Sequence, residues 1–256
     1  MRPCVVLPCF FSDGNFEDHV KTIARLGYDA CEIYDWRSLN FESAKRALRD
    51  NGVSLLSMCT TEFRLNNPVF SGAYLTALSQ SAHAAKELGA KMLITQVGQD
   101  TGEMHARQKD AIVSTLKKAK NLLEETGVTL MIEPLNTLYD HKGYFLSSSA
   151  EAFDIVREVN SPFVKMVFDI YHQQVTEGNV LNNILENLKF IAHLHAAGNP
   201  GRIEMQLGEN DYRLIFDRID KAGYTGACGL EYRPTLGAEE SLKRAKEIYF
   251  HKEVRV

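Results

Sequence analysis

Four side chains able to hold a metal ion or carry a proton stand at the ends of short apolar runs in the second half of the chain. Glu133 closes the run in Met131-Ile132-Glu133-Pro134-Leu135-Asn136, and Asp169 closes Val167-Phe168-Asp169 ahead of Ile170-Tyr171-His172. His195 lies in His193-Leu194-His195-Ala196-Ala197-Gly198, and Glu231 in Gly229-Leu230-Glu231-Tyr232-Arg233-Pro234. Three carboxylates and one imidazole form a hard, mostly oxygen donor set. It suits Mn2+, Mg2+ or Co2+ with positions open for substrate oxygens, with Zn2+ as a further alternative. A polar residue where a strand emerges into water explains any one of the four. All four in register point to a metal centre.

Other residues cluster around these ends. His172, three residues past Asp169, is expected at the mouth, holding a substrate hydroxyl or oxyanion or else serving an ordinary surface loop. Arg202 ends the turn-rich segment Gly198-Asn199-Pro200-Gly201-Arg202, where a guanidinium can clamp a carboxylate or polarised oxygen. An exposed loop arginine is the plainer alternative. His193 shares a face with His195 and is expected one layer deeper, as partner to a ligand or as a core histidine. Glu32 and Tyr34 share a face of an earlier run. Tyr34, Trp36, Phe10 and Tyr144 are candidates to wall a small pocket, each equally explained by packing.

Positioning such side chains requires a regular frame, and the chain has one. Eight short apolar runs recur, at Cys4–Pro8, Ala30–Tyr34, Val53–Met58, Lys91–Val97, Val128–Glu133, Val164–Asp169, Ile191–Ala196 and Ala227–Glu231. Helix-like stretches alternate with them: Asn15–Leu26, Phe41–Asn51, Gly72–Leu88, Glu103–Glu125, Ser149–Val159, Val180–Leu188, Asp211–Ala222 and Ala238–Phe250. In the fourth, Ile112, Leu116, Ala119 and Leu123 recur at helical spacing. Gly27, Gly52, Gly89, Gly127 and Gly223 stand where helices should stop, and Ser149 reads as the N-cap of the fifth. Strict strand-then-helix alternation over eight units predicts an α/β fold, a (β/α)8 TIM barrel of eight parallel strands ringed by helices. A doubly wound open sheet would want a GxGxxG turn after the first strand, where Cys9-Phe10-Phe11-Ser12-Asp13-Gly14 stands instead. No linker divides the chain, so residues 1–256 are expected to form a single domain.

Composition narrows the partners. With 256 residues, 45% hydrophobic and 24% charged, the chain is neither disordered, collagen-like nor of low complexity. A net charge of −4 lacks the basic excess that duplex binding requires, so no nucleic acid is expected. Five cysteines without a CxxC pair, four in or beside apolar runs, suit reduced thiols. Cys9 is expected as a small pocket-lining residue, since nothing nearby in sequence would activate it as a nucleophile. The N-terminal apolar run is too short for a signal peptide or membrane span, which predicts a cytoplasmic protein without membrane contact. A homo-oligomer is compatible with all of this.

The motifs from Glu133 to Pro234 resemble the xylose isomerase-like barrel superfamily, and within it the hydroxypyruvate isomerase-like branch. They are Ile132-Glu133-Pro134-Leu135-Asn136, Phe168-Asp169-Ile170-Tyr171-His172, His193-Leu194-His195 with Asn199-Pro200-Gly201-Arg202, and Gly229-Leu230-Glu231-Tyr232-Arg233-Pro234. The resemblance implies a divalent metal on Glu133, Asp169, His195 and Glu231. It implies that Glu133 and Glu231 double as catalytic acid and base, and that His172 and Arg202 contact substrate. Three positions set this chain apart. His195 stands where hydroxypyruvate isomerases usually have glutamine and ketose 3-epimerases histidine. Thr60-Thr61-Glu62-Phe63-Arg64-Leu65-Asn66-Asn67 replaces the isomerases' Gly/Trp-rich loop. Leu138-Tyr139-Asp140 stands where epimerases usually have an acidic residue.

The reaction expected is proton transfer next to a carbonyl, with Lewis-acid support for an enediolate and a glutamate on each side. Return of the proton to the neighbouring carbon isomerises; return to the opposite face of the same carbon epimerises. The Asn199–Arg202 and Glu231–Pro234 motifs favour isomerisation of a small hydroxy-keto acid or sugar, such as hydroxypyruvate to tartronate semialdehyde. A ketose 3-epimerase is the alternative. A non-catalytic sugar-binding barrel would not need the intact donor set. An apurinic endonuclease relative would need more strand-end histidines and a cationic groove.

Overall fold

The computed structural model describes residues 1–250. Eight parallel strands close into a barrel in chain order: β1 (Arg2–Val6), β2 (Ala30–Glu32), β3 (Ser54–Cys59), β4 (Met92–Thr95), β5 (Thr129–Ile132), β6 (Val164–Asp169), β7 (Ile191–Ala196) and β8 (Ala227–Leu230). Pairing of Cys4 with Gly229 and Val5 with Leu230 closes the ring between β1 and β8. Around it lie α1 (Leu7–Phe10), α2 (Phe16–Arg25), α3 (Phe41–Asp50), α4 (Ser71–Leu88) and α5 (His105–Thr126). The second half adds α6 (Ser149–Val159), α7 (Ile170–Thr176), α8 (Val180–Asn187), α9 (Tyr212–Lys221) and α10 (Ala238–Tyr249). This is the (β/α)8 barrel that the alternation predicts. No helix among the described residues is long and apolar enough to cross a membrane.

Strand parity places the chemistry. Alternate side chains of a barrel strand face the helices or the barrel axis. Leu130, Ile132, Phe168, Leu194, Cys228 and Leu230 join the large core between strands and helices. The opposite parity puts Met131 and Val167 in one small cluster and Ala30 and Ala227 in another. Two residues further along that inward parity stand Glu133, Asp169, Glu32 and, from Ala227, Gly229 and then Glu231. The apolar pattern that packs the helices thus aims the polar ends inward. On α5, Ile112, Leu116, Ala119 and Leu123 are all buried, each large aliphatic side chain contributing roughly 1.5–3 kcal/mol. Leu116→Ala would remove most of one such contribution and leave a cavity.

The five helix-ending glycines all have positive φ, and at Gly89 (φ 80°) and Gly127 (φ 67°) the glycine is itself the C-cap. Any side chain there would strain the left-handed turn. Three expectations need correction. The first strand stops at Val6 rather than Pro8, and Leu7–Phe10 is a helical turn. Proline lacks an N–H for the strand ladder and its fixed φ suits a helix start. The N-cap of α6 is Ser148 by its extended backbone, without a side-chain cap bond, and the hydroxyls of both Ser148 and Ser149 donate to Glu177. Residues 170–176, expected as loop, form α7, whose N-cap is Asp169 itself.

Candidate metal and proton-transfer centre

Asp169 divides its carboxylate between two tasks. Oδ1 accepts from the backbone N–H groups of Tyr171 (2.8 Å) and His172 (3.2 Å), satisfying two orphan donors of α7. Oδ2 lies 3.5 Å from His172 Nε2. His195, paired in register with Asp169 across β6 and β7, brings Nδ1 to 3.2 Å from Glu231 Oε2 and 3.7 Å from Glu133 Oε1. The four residues singled out at the strand ends therefore converge, and all are buried.

Three atoms at this point have no hydrogen-bond partner although buried: Asp169 Oδ2, His195 Nδ1 and His172 Nε2. Leaving such an atom unpaired costs about 1–3 kcal/mol. Three of them among carboxylates fit a cation and an oxygen-bearing substrate. Glu133, Asp169, His172 and Glu231 also place ligand-capable atoms within 4.8 Å of one another, which makes His172 a rival to His195 as the nitrogen donor. Its other nitrogen bears on the choice. His172 Nδ1 accepts from the backbone and side-chain amides of Asn136, so the neutral ring carries its proton on Nε2 and has no lone pair to offer there. His195 is bound through Nε2 to Glu32 (3.2 Å), which leaves Nδ1 toward the carboxylates.

The charges interlock. Arg202 donates from Nη2 to Glu231 Oε2 at 2.6 Å and lies 3.9 Å from Asp169 Oδ2. Its φ of 53° is in the left-handed region, held in part by its carbonyl accepting from Arg233 N–H (2.8 Å). Tyr34 Oη donates to Glu231 Oε1 at 2.7 Å. Burial by itself raises the Glu231 carboxyl, but His195 and Arg202 outweigh it and hold the group well below the usual range. Burial, then the Glu231 charge, push Asp169 up. Burial by itself would lower His195, yet Glu231 and Glu32 raise it. Burial and the nearby Arg202 push His172 well down, keeping it neutral.

A cavity of about 390 Å3 opens over these groups, of a size usual for small-molecule sites. Tyr34, Phe63, Ile94 and Leu135 wall it, with Glu133, Glu231, His172, His195 and Arg202 lining its polar part. His172 is completely buried beside Asp169 rather than standing out at the mouth, because α7 folds back where a loop was expected. Of the four aromatics, only Tyr34 lines the cavity. Phe10 packs edge-on against Tyr232, and Trp36 against Phe41. Tyr144 works from behind, donating to the Glu133 carbonyl (2.9 Å) and accepting from Val97 N–H (2.8 Å). Cys9 sits 3.2 Å from Tyr34 Oη, its thiol pushed up to about 11 by burial and by Glu231, which suits no nucleophile. Glu32, Asn136 and Asp140 are functional neighbours without a role assigned from the sequence. Glu32's inward parity and the Asn136 amide three residues past Glu133 were the available signals.

The matched family model is that of the xylose isomerase-like TIM barrel, over residues 20–248. The chain belongs to that family. A 2-oxo-tetronate isomerase of Cupriavidus necator is 38% identical over 137 residues, 54% of this chain and 52% of the relative. A hydroxypyruvate isomerase of Escherichia coli K12 is 33% identical over 160 residues, 62% of each chain. The matches thus span about half to three fifths of these relatives' lengths. Among solved structures, an AP endonuclease, family 2, from Brucella melitensis superposes with a TM-score of 0.91 at 22% identity, covering 97% of this chain and 100% of that one. At that identity the likeness concerns the fold alone.

Proposed function

We propose that this protein is a divalent-metal-dependent isomerase of a small hydroxy-keto acid. The observation that carries the reading is the meeting of Glu133, Asp169, His195 and Glu231 around three unpartnered buried atoms, beside a cavity that Glu133, His195 and Glu231 line. Relatives named for hydroxypyruvate and 2-oxo-tetronate support the substrate class. Asp169 Oδ2, His195 Nδ1 and a carboxylate oxygen from each glutamate would hold the ion, whose composition of donors favours Mn2+, Mg2+ or Co2+. Such an ion supplies Lewis-acid stabilisation of a developing oxyanion.

The chain's own groups do the rest. One glutamate takes the proton from the carbon next to the carbonyl, and the electron pair forms the enediolate double bond. The partner glutamate, three strands away around the barrel, gives a proton to the former carbonyl carbon, while the proton of the original hydroxyl passes to the former carbonyl oxygen, so that the hydroxyl carbon becomes the new carbonyl. His172 donates from Nε2–H to the oxyanion, and Arg202 neutralises carboxylate charge on Glu231 and the substrate.

Histidine rather than glutamine at 195 favours ketose 3-epimerisation as a second reading, with the same groups returning the proton to the opposite face. Mn2+-loaded protein incubated with hydroxypyruvate, 2-oxo-tetronate and a set of ketoses separates the two. Turnover of hydroxypyruvate to its aldehyde isomer, or of 2-oxo-tetronate to its 3-keto isomer, supports isomerisation. Turnover of ketoses alone, to their 3-epimers, replaces it with the second reading, and no turnover of either class contradicts both.

A further inference from the structure

Beneath the centre, a carboxylate from the far side of the barrel holds two histidines. Glu32, on β2, is 2% exposed and does not line the cavity. Its Oε1 is 2.8 Å from His193 Nε2 and its Oε2 is 3.2 Å from His195 Nε2, while the Ser57 hydroxyl also donates to Oε2. The His193 and His195 rings cross edge to face, with centroids 5.1 Å apart and planes at 87°. Room for the arrangement comes from β8. A Cβ on Gly229 would collide with Glu32 Oε1 and lie 2.6 Å from His195 Cδ2, so a glycine is needed at this register position.

We infer that Glu32 is a positioning residue: it fixes the ring angle and tautomer of His195, so that Nδ1 presents its lone pair to the ion. The inference rests on the metal-centre reading above. An imidazole can offer a lone pair from only one nitrogen, and the hydrogen bond at the other determines which. With Nε2–H directed to Glu32, the lone pair lies on Nδ1, the nitrogen 3.2 Å from Glu231 and 3.7 Å from Glu133. A carboxylate partner also makes the ring a stronger donor to a metal. His193 acts one step further back. By bonding the second oxygen of Glu32 it stops the carboxylate from turning away, and Ser57 anchors it from β3.

Two measurements test this. Titration of free Mn2+ by its electron paramagnetic resonance signal gives the affinity of wild type and Glu32→Gln. The variant should bind at least about tenfold more weakly, as loss of a ligand's orienting partner typically does, with its circular dichroism unchanged. Long-range 1H–15N correlation spectra of Mg2+-loaded wild type, read at His195, should show a proton on Nε2 and none on Nδ1. That second readout needs no substitution and is unaffected if Glu32→Gln fails to fold. Affinity within twofold of wild type, or a proton on Nδ1 with the lone pair on Nε2, overturns the inference. Wild-type protein that takes up no Mn2+ contradicts the metal centre itself, and the role of Glu32 with it.

Discussion

Asn136 places two donors on one nitrogen of His172, its backbone N–H at 3.3 Å and its side-chain amide at 2.6 Å from Nδ1. The amide cannot be turned over, because its Oδ1 accepts from the N–H groups of Tyr139 (3.0 Å) and Asp140 (3.3 Å). Asp140 Oδ2 takes a further bond from the amide at 2.8 Å and one from Tyr171 Oη at 2.8 Å. A chain of fixed groups from β5 to α7 thus sets which His172 nitrogen carries the proton. Asn136→Ala should lower kcat by about tenfold or more, toward the loss seen when a donor to an oxyanion is removed, with bound metal per chain unchanged. Steady-state kinetics with elemental analysis of the same sample checks both halves.

Ligand and substrate groups should part company under substitution. Asp169→Asn and His195→Ala should lose metal and activity together. His172→Ala and Arg202→Ala should keep metal and lose mainly kcat or raise KM, because neither has a free ligand atom at the centre. Metal content by mass spectrometry beside kcat and KM distinguishes the classes, and full metal with full activity in His195→Ala would remove it from the donor set.

Acid should reach the fold through Glu204. This buried carboxylate accepts from Thr235 N–H (2.8 Å), Thr235 Oγ1 (3.0 Å), Leu236 N–H (3.3 Å) and Ser241 Oγ (3.0 Å), tying the loop that carries Arg202 to the start of α10. Burial pushes its pKa up, but these hydrogen bonds outweigh it, so the folded value lies below the ordinary 4.5. A lowered folded pKa means that the stabilisation is complete above the unfolded value and disappears as pH falls through the folded one. Glu204→Gln should cost about 1–3 kcal/mol at neutral pH, and its gap from wild type should narrow as pH falls below 4.5. Urea unfolding of both proteins across that range measures the gap.

The barrel and the convergence of Glu133, Asp169, His195 and Glu231 were legible in the sequence because both depend on period-two patterning. Once Leu130 and Ile132 pack outward, Glu133 has to face in. What the sequence hid was non-periodic. Nothing local marks Asp169 as the cap of a seven-residue helix, so His172 looked like a mouth residue when α7 buries it. Glu32 lies 161 residues before His193, and only barrel closure brings them together. Trp36, Phe10 and Tyr144 are aromatic at suggestive places, but composition cannot distinguish a cavity wall from the packing behind it.

The central claim is that Glu133 and Glu231 move a carbon-bound proton that water can exchange. Turnover of the accepted hydroxy-keto acid in deuterium oxide, followed by proton NMR and mass spectrometry, tests it most directly. Deuterium should enter product at the carbon next to the carbonyl, and Glu133→Gln or Glu231→Gln should suppress this in samples whose bound metal has been measured. Product free of deuterium at the full wild-type rate would contradict the account and point to direct hydride transfer between the carbons.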